Sequence, residues 1–408
     1  MSKTVKIEPN LQFVKELQEV GGADLKKCYQ CATCSVTCPM SPADNPYPRK
    51  EMVWAQWGLK DKLVNDIDIW LCHNCGNCSD LCPRGAKPGD LMSALRNMTY
   101  RKLVPPTIIG TWMSSPKHLP ILAGIPAGIF AIIWMIRAAM LGTFFPVEEG
   151  GKIVYGNLFP GDFTIDPVFV LLFLCVCLCF AMGIKNMIDG FKANVPETFV
   201  LGYKKPSLKD AIIDTVKYDL LQHSRFKNCV DSPADEERVK GHMILFYGFI
   251  ACAIVTSIVA VSHWGGKVVH FLAPIGHTPM PLWHPVKILA NVGAVLLLTG
   301  LTLLTRRRLN ADTKKSRSNY YDWYLLGVIW VVALTGIGSE VFRLAGVAPL
   351  AFFTYYVHLV SIFMLIGYLP WSKLGHLVYR TTALIYARYV GRLPIGEKLI
   401  EDDKIFVI

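Results

Sequence analysis

Of 408 residues, 52% are hydrophobic and only 18% are charged, against about a quarter charged in soluble globular chains, which excludes a wholly soluble protein. The formal net charge of +11 would suit nucleic acid or anionic lipid. The basic residues are gathered in alternate loops between apolar runs, however, so membrane topology accounts for them and no nucleic-acid partner is expected.

Residues 1–105 read as an ordinary soluble segment. The opening MSKTVKIEPNLQFVKELQEV has scattered charges and no apolar stretch of signal-peptide length, so the N-terminus is expected in the cytoplasm. Eight of the thirteen cysteines fall within 28–82, as CYQCATCSVTCP (Cys28, Cys31, Cys34, Cys38) and CHNCGNCSDLCP (Cys72, Cys75, Cys78, Cys82). In a reducing compartment such crowding reads as metal ligation. Both runs have the spacing C-x2-C-x2-C-x3-C-P. Three thiolates at three-residue spacing reach three irons of one cubane, and the fourth, expected to begin a helix, points to the other cluster. The spacing therefore assigns Cys28, Cys31, Cys34 and Cys82 to one [4Fe–4S] cluster, and Cys72, Cys75, Cys78 and Cys38 to a second. Structural zinc prefers two separated C-x2-C pairs, a poorer match. Cys175, Cys177, Cys179 and Cys252 lie in apolar runs and read as packing residues; Cys229 has no evident role.

Six apolar runs near 119–142, 167–184, 242–263, 285–305, 322–340 and 352–370 are long enough to cross a hydrocarbon core as helices. The loops 143–166, 264–284 and 341–351 hold one basic residue each (Lys152, Lys267, Arg343), while 185–241 holds ten, 306–319 six and the tail after 370 six. This alternation places both termini in the cytoplasm of a multi-pass inner-membrane protein. The basic segment 185–241 is half helical in pattern, as for a helix on the membrane surface or under a partner. Asp322 and Glu340 fall only at span ends, and no matched pair of broken helices suggests a transporter.

Histidines in spanning segments need a partner such as a metal, and a membrane haem needs two axial ligands. His358 and His376, eighteen residues apart, would share a face of one long helix about 27 Å apart. His242 matches His376 in depth and His284 matches His358. An inner haem on His242 and His376 and an outer haem on His358 and His284 follow. His263 rivals His284, His223 is an alternative to His242, and solvation accounts for His270 and His277.

Two resemblances now become specific. IWLCHNCGNCSDLCPRGAKPGDLMSALRN, with NPYPRKEMVWAQWGL between the clusters, is similar to the small dicluster subunit of heterodisulfide reductases. VHLVSIFMLIGYLPWSKLGHLVYR and GHMILFYGF resemble the haem-ligating helices of the cytochrome b subunit of that enzyme and of the gamma subunit of respiratory nitrate reductase. The matching ligands fall on His358, His376 and His242, but Cys252 stands where that family has a further histidine. The resemblance also puts a quinone-contacting lysine at Lys287, in HPVKILANVGA. Fusion of the two modules resembles the QmoC-type membrane subunit of quinone-interacting membrane-bound oxidoreductase complexes of sulfate reducers.

The expected fold is mostly α: a ferredoxin-type dicluster domain (1–105), a six-helix cytochrome b bundle (106–390) and a cytoplasmic tail (391–408). The expected function is electron transfer between menaquinol and cytoplasmic subunits. The resemblance implies two [4Fe–4S] clusters, two b haems, flavin-containing soluble partners and, downstream, adenylylsulfate reductase. The rival readings are a haem-free anchor for a soluble iron–sulfur enzyme, and a heterodisulfide-reductase-type subunit.

Overall fold

The computed structural model describes residues 8–42, 45–194, 206–230, 232–313 and 315–395. The chain is mostly α; among the described residues the only β pairing is one bridge between Glu148 and Lys152. Residues 396–408, most of the expected tail, lie outside the described part.

The first helix, Leu11–Leu17, starts where the Asn10 side chain accepts the Phe13 N–H at 2.8 Å, and it buries Phe13 and Leu17. The two cysteine runs then fold alike. Gln30 and Asn74, at matching positions, have φ of 61° and 52°; Ala32 and Gly76 have φ of 70° and 92°. These left-handed residues curl each loop so that the N–H groups of Gln30 and Asn74 reach the sulfurs of Cys28 and Cys72, both at 3.3 Å. A single helical turn follows each, Thr33–Val36 and Asn77–Asp80. Glycine is required at 76 for a second reason, since a Cβ there would stand 2.7 Å from the Lys315 carbonyl oxygen. Cys38 and Cys82 come after these turns instead of opening helices as expected, because Pro39 and Pro83 cannot continue a helical hydrogen-bond ladder. The helix Pro88–Leu103, with proline in its first turn, buries Leu91, Met92, Leu95 and Met98 at the centre of this region.

Among the described residues, six helices are long and apolar enough to cross a membrane: Pro116–Leu141, Ile165–Asn194, Asp235–Gly265, Pro285–Leu309, Tyr320–Leu344 and Ala348–Gly367. The second outruns the expected 167–184 because an amphipathic extension carries Met187 and Phe191, one turn apart, into the core. The third starts before the expected 242, its helix capped by Ser232 with Pro233 and Asp235 in the first turn, signals that hydropathy does not register. Leu171, Leu174 and Leu178 form an exposed stripe on the second span, opposite buried Val176, Cys179 and Gly183, which is the pattern of a lipid-facing helix.

The sixth span differs in kind from the single long helix expected to carry both His358 and His376. It ends at Gly367, passes through the short turns Leu369–Trp371 and Lys373–Gly375, and His376 opens a separate helix, His376–Tyr389. Pro370 lacks the N–H that would extend the span. The straight-helix spacing between the two histidines therefore does not apply.

One buried core runs through both regions, from Phe13 to Leu393. Trp70, Tyr100 and Tyr379 pack with ring centres 5.6–5.8 Å apart, and Phe180 of the second span joins Tyr379 at 5.4 Å. The Trp371 indole donates to the Val104 carbonyl at 3.1 Å. Arg392 grips Asp68 with two bonds of 2.6 and 2.7 Å, both residues buried. The basic segment after 205 lies on this chain's own last helix, where Arg388 pairs with Asp219 at 2.6 Å and donates to Thr215 at 2.9 Å.

Candidate metal centres

The eight cysteines of the two runs gather into two sets across the runs. Cys38 shares a cavity with Cys72, Cys75 and Cys78. Cys34 lies among Cys28, Cys82 and Cys31. Burial pushes the Cys34 and Cys38 thiols up to about 12, so as bare groups they would stay neutral; metal coordination is what deprotonates such thiols. Among the described residues no three cysteine sulfurs lie within 4.8 Å of one another.

The two sets differ in surroundings. Cys75 and Cys78 are buried, whereas Cys31 is exposed, with Tyr29, Val36 and Leu81 exposed around it at 69%, 83% and 57%. The set with Cys75 faces the membrane helices. His73 stacks on Phe226 with ring centres 5.5 Å apart and planes at 19°, and Phe226 meets His242 at 5.4 Å. Around the same loop, Arg96 donates to the carbonyls of Ile69 and Cys72, Arg380 to that of Leu71 and Arg238 to that of Asn74.

His242 and His376 face each other with ring centres 6.4 Å apart. A pair of imidazoles at this separation could hold one metal ion between them. The His376 Nδ1 lies 2.7 Å from the Lys373 carbonyl, which only accepts. Nδ1 therefore carries the proton and Nε2 is left free, the tautomer that a carbonyl-anchored metal ligand adopts. Burial pushes His376 down to about 4, keeping it neutral. The Nδ1 of His242 is buried and has no hydrogen-bond partner among the described residues. His223, buried with φ of 53°, sits 5.1 Å from His242, so both expected inner candidates occupy one site.

On the other side, His358 repeats the anchoring of His376: its Nδ1 is 3.1 Å from the Val332 carbonyl and 3.1 Å from the Thr335 hydroxyl. The His242–His376 pair could hold a metal-bound group such as a haem; on the other side His358 alone is anchored in this way. His284 caps the fourth span with its Nδ1 buried and unpartnered among the described residues. Its rival His263 is otherwise engaged, at 2.5 Å from Asp162, which also holds Lys267 at 2.7 Å. Cys252 packs against Gly293. Lys287 pairs with Glu340 across the fourth and fifth spans at 2.8 Å, and Asn291 reaches the same carboxylate at 3.4 Å. Sequence reasoning missed Glu340 as a partner of Lys287 because pairing between helices leaves no spacing signal.

Comparison with known proteins finds two matching regions in the chain. Residues 24–86 match the family model described as 4Fe-4S dicluster domain, and residues 203–394 match that described as Citrate utilization protein B. Over 87 residues the chain is 36% identical to a component of the H(2):CoB-CoM heterodisulfide,ferredoxin reductase of Methanothermobacter marburgensis, covering 21% of this chain and 46% of that protein. Over 103 residues it is 38% identical to an iron-sulfur component of the CoB--CoM heterodisulfide reductase of Methanocaldococcus jannaschii, covering 23% and 55%. The chain thus spans about half the length of the curated relatives it matches. No solved structure matches it significantly. A four-iron dicluster domain is joined here to six membrane-type helices.

Proposed function

We propose that the chain is a membrane electron-transfer subunit of an oxidoreductase complex, working between menaquinol and flavin-containing cytoplasmic partners. In the fullest form of this reading, its electrons feed adenylylsulfate reductase. The dicluster region, 1–105, would face the cytoplasm, and 106–390 would form the membrane unit. Cys28, Cys31, Cys34 and Cys82 would hold one cluster and Cys72, Cys75, Cys78 and Cys38 the other. His242 with His376, and His358 with His284, would hold two b haems. When bound, these groups supply the one-electron chemistry that divides a quinol's two-electron oxidation.

The observation that carries the reading is the unbroken series of side chains from the second cysteine run to the facing histidines: His73, Phe226, His242, His376. The chain's own residues also suit the quinol end. Lys287 offers an ammonium to a quinol oxygen, and the Glu340 carboxylate beside it can take the proton that oxidation releases. Asn291 steadies that carboxylate.

The test is iron, sulfide and haem quantification on the purified chain, with dithionite-reduced spectra, for the wild type and for His242→Ala and His376→Ala. Each variant is expected to lose one haem of two while keeping about eight non-haem irons, the content of two four-iron clusters. Zinc in place of iron, or no spectral change with dithionite, would remove the reading. Haem content and quinol activity unaltered in both variants would favour the haem-free anchor.

A further inference from the structure

Three guanidinium groups converge on the loop from Ile69 to Asn74, and none of them has an ion-pair partner among the described residues. Arg96 donates to the carbonyls of Ile69 and Cys72 at 3.0 and 2.6 Å, Arg380 to that of Leu71 at 3.3 Å, and Arg238 to that of Asn74 at 2.8 Å. Two carboxylates of this neighbourhood are already taken, Asp219 by Arg388 at 2.6 Å and Arg225 at 3.7 Å, and Asp235 by Lys315 at 2.6 Å and Arg307 at 3.9 Å. Arg238 is only 8% exposed and spends its Nη1 on Asn74, so that Nε and Nη2 are buried without partners among the described residues. A buried guanidinium in this state calls for an anion. Its place says which. Arg238 stands four residues before His242 in one helix, and Arg380 four residues after His376 in another, the spacing that sets two side chains on one helix face. His242 accordingly lies among Arg380 and Arg238. His376 lies among Arg380, Arg96 and Lys373, whose ammonium is committed to Asp322.

We propose that Arg238 and Arg380 form an anion site beside the His242–His376 pair, which takes the two carboxylates of a haem held there. The inference rests on the inner-haem assignment proposed above. A haem carries both carboxylates on one edge of its ring, and the two axial histidines alone leave open which way that edge turns. One cation from each histidine-bearing helix decides it. The carboxylates match the guanidinium charge and accept the N–H groups of Arg238 that the protein leaves unpaired, as charge-assisted bonds. Arginine suits this task better than lysine, because its planar fork can serve a loop carbonyl with one N–H and a carboxylate with the others. Since the same two arginines hold the loop of the second cysteine run, the carboxylate edge is turned toward that run.

The test uses the full chain in detergent, produced under haem limitation in a His358→Ala background so that the inner pair alone is read. It is titrated with haemin and with haemin dimethyl ester, the same ring with both carboxylates blocked, and binding is followed by the Soret band. This parent is expected to bind haemin about tenfold more tightly than the ester, the factor one charge-assisted hydrogen bond is worth. Adding Arg238→Ala or Arg380→Ala should weaken haemin binding several-fold and leave the affinity for the ester where it was, with non-haem iron and sulfide at the parent level. Arg238→Lys should recover part of the loss. Equal affinity of the parent for haemin and ester would overturn the proposal, and that comparison needs no arginine variant to fold. So would an equal loss for both ligands in the arginine variants, which would show that the arginines only brace the loop. Failure of the inner-haem assignment reads differently: the parent would bind neither ligand, or would bind haemin as well after His242→Ala, and the inference would fall with the assignment.

Discussion

The ring of His358 is held from one side by Val332 and Thr335, and from the other direction the space it occupies is guaranteed by Gly336. A Cβ at that glycine would stand 3.1 Å from the His358 Cε1, tighter than side chains ordinarily pack. Gly336→Val is therefore expected to drive the imidazole from its anchored position and, under the proposed assignment of His358 as a ligand, to remove one haem, read as the pyridine haemochrome. Thr335→Val leaves the Val332 carbonyl in place to fix the tautomer, so it should leave haem content unchanged. Equal haem in Gly336→Val and wild type would show that His358 is not a ligand. At this scale the sequence was informative where chemistry imposes a spacing. The eight motif cysteines could be singled out as candidates from their intervals, and His358 from its place in a span. Arg238 and Glu340 could not, because each acts on a residue far away in the chain and local spacing carries no trace of that.

Among the helices, the third and fourth spans meet along glycines seven residues apart on each: Gly241 and Gly248 face Gly293 and Gly300. A Cβ at Gly300 would lie 2.7 Å from the Leu245 nitrogen, and one at Gly248 would lie 2.9 Å from the Leu297 nitrogen. Both obstacles are backbone, so the helices themselves would have to part. In lipid, where apolar side chains gain nothing from leaving water, such close approach is the main source of attraction between helices. His242 directly follows Gly241 on this seam. Gly248→Leu is expected to separate the spans, to cost about 1–3 kcal/mol by overpacking, and to reduce inner-haem content while the iron content of the cysteine sites is retained. A lowered thermal midpoint with full haem would mean that the seam stabilises the bundle without positioning the histidine. The six spans themselves could be read from hydropathy because each is a long uninterrupted apolar run. Their ends could not. The second and third continue as amphipathic helix, which hydropathy averages away, and the sixth stops where Pro370 withdraws a donor. That stop placed His376 on a helix of its own, a result that counting residues along one helix could not give.

Across the whole molecule, the two cysteine sites share a fold but occupy opposite situations. One is covered by Cys229, Arg238 and Phe226 and backed by the histidines of the membrane helices; the other presents Cys31 to solvent amid exposed Tyr29, Val36 and Leu81. This asymmetry is maintained by contacts that lock the cysteine region against the membrane helices, among them Arg392 on Asp68 and Trp371 on Val104. A relay that collects electrons in the bilayer and passes them to a soluble partner needs such an arrangement, with one end shielded and the other accessible. Susceptibility of cluster sulfur and iron to oxidants follows exposure. Limited anaerobic treatment of the purified chain with ferricyanide is therefore expected to degrade one cluster several-fold faster than the other, as followed by electron paramagnetic resonance. Cys31→Ser should alter the signal of the labile cluster, and Cys75→Ser that of the resistant one. Loss of both signals at the same rate would mean that solvent reaches the two sites equally, and the shielded end of the relay would have to be sought elsewhere in the fold.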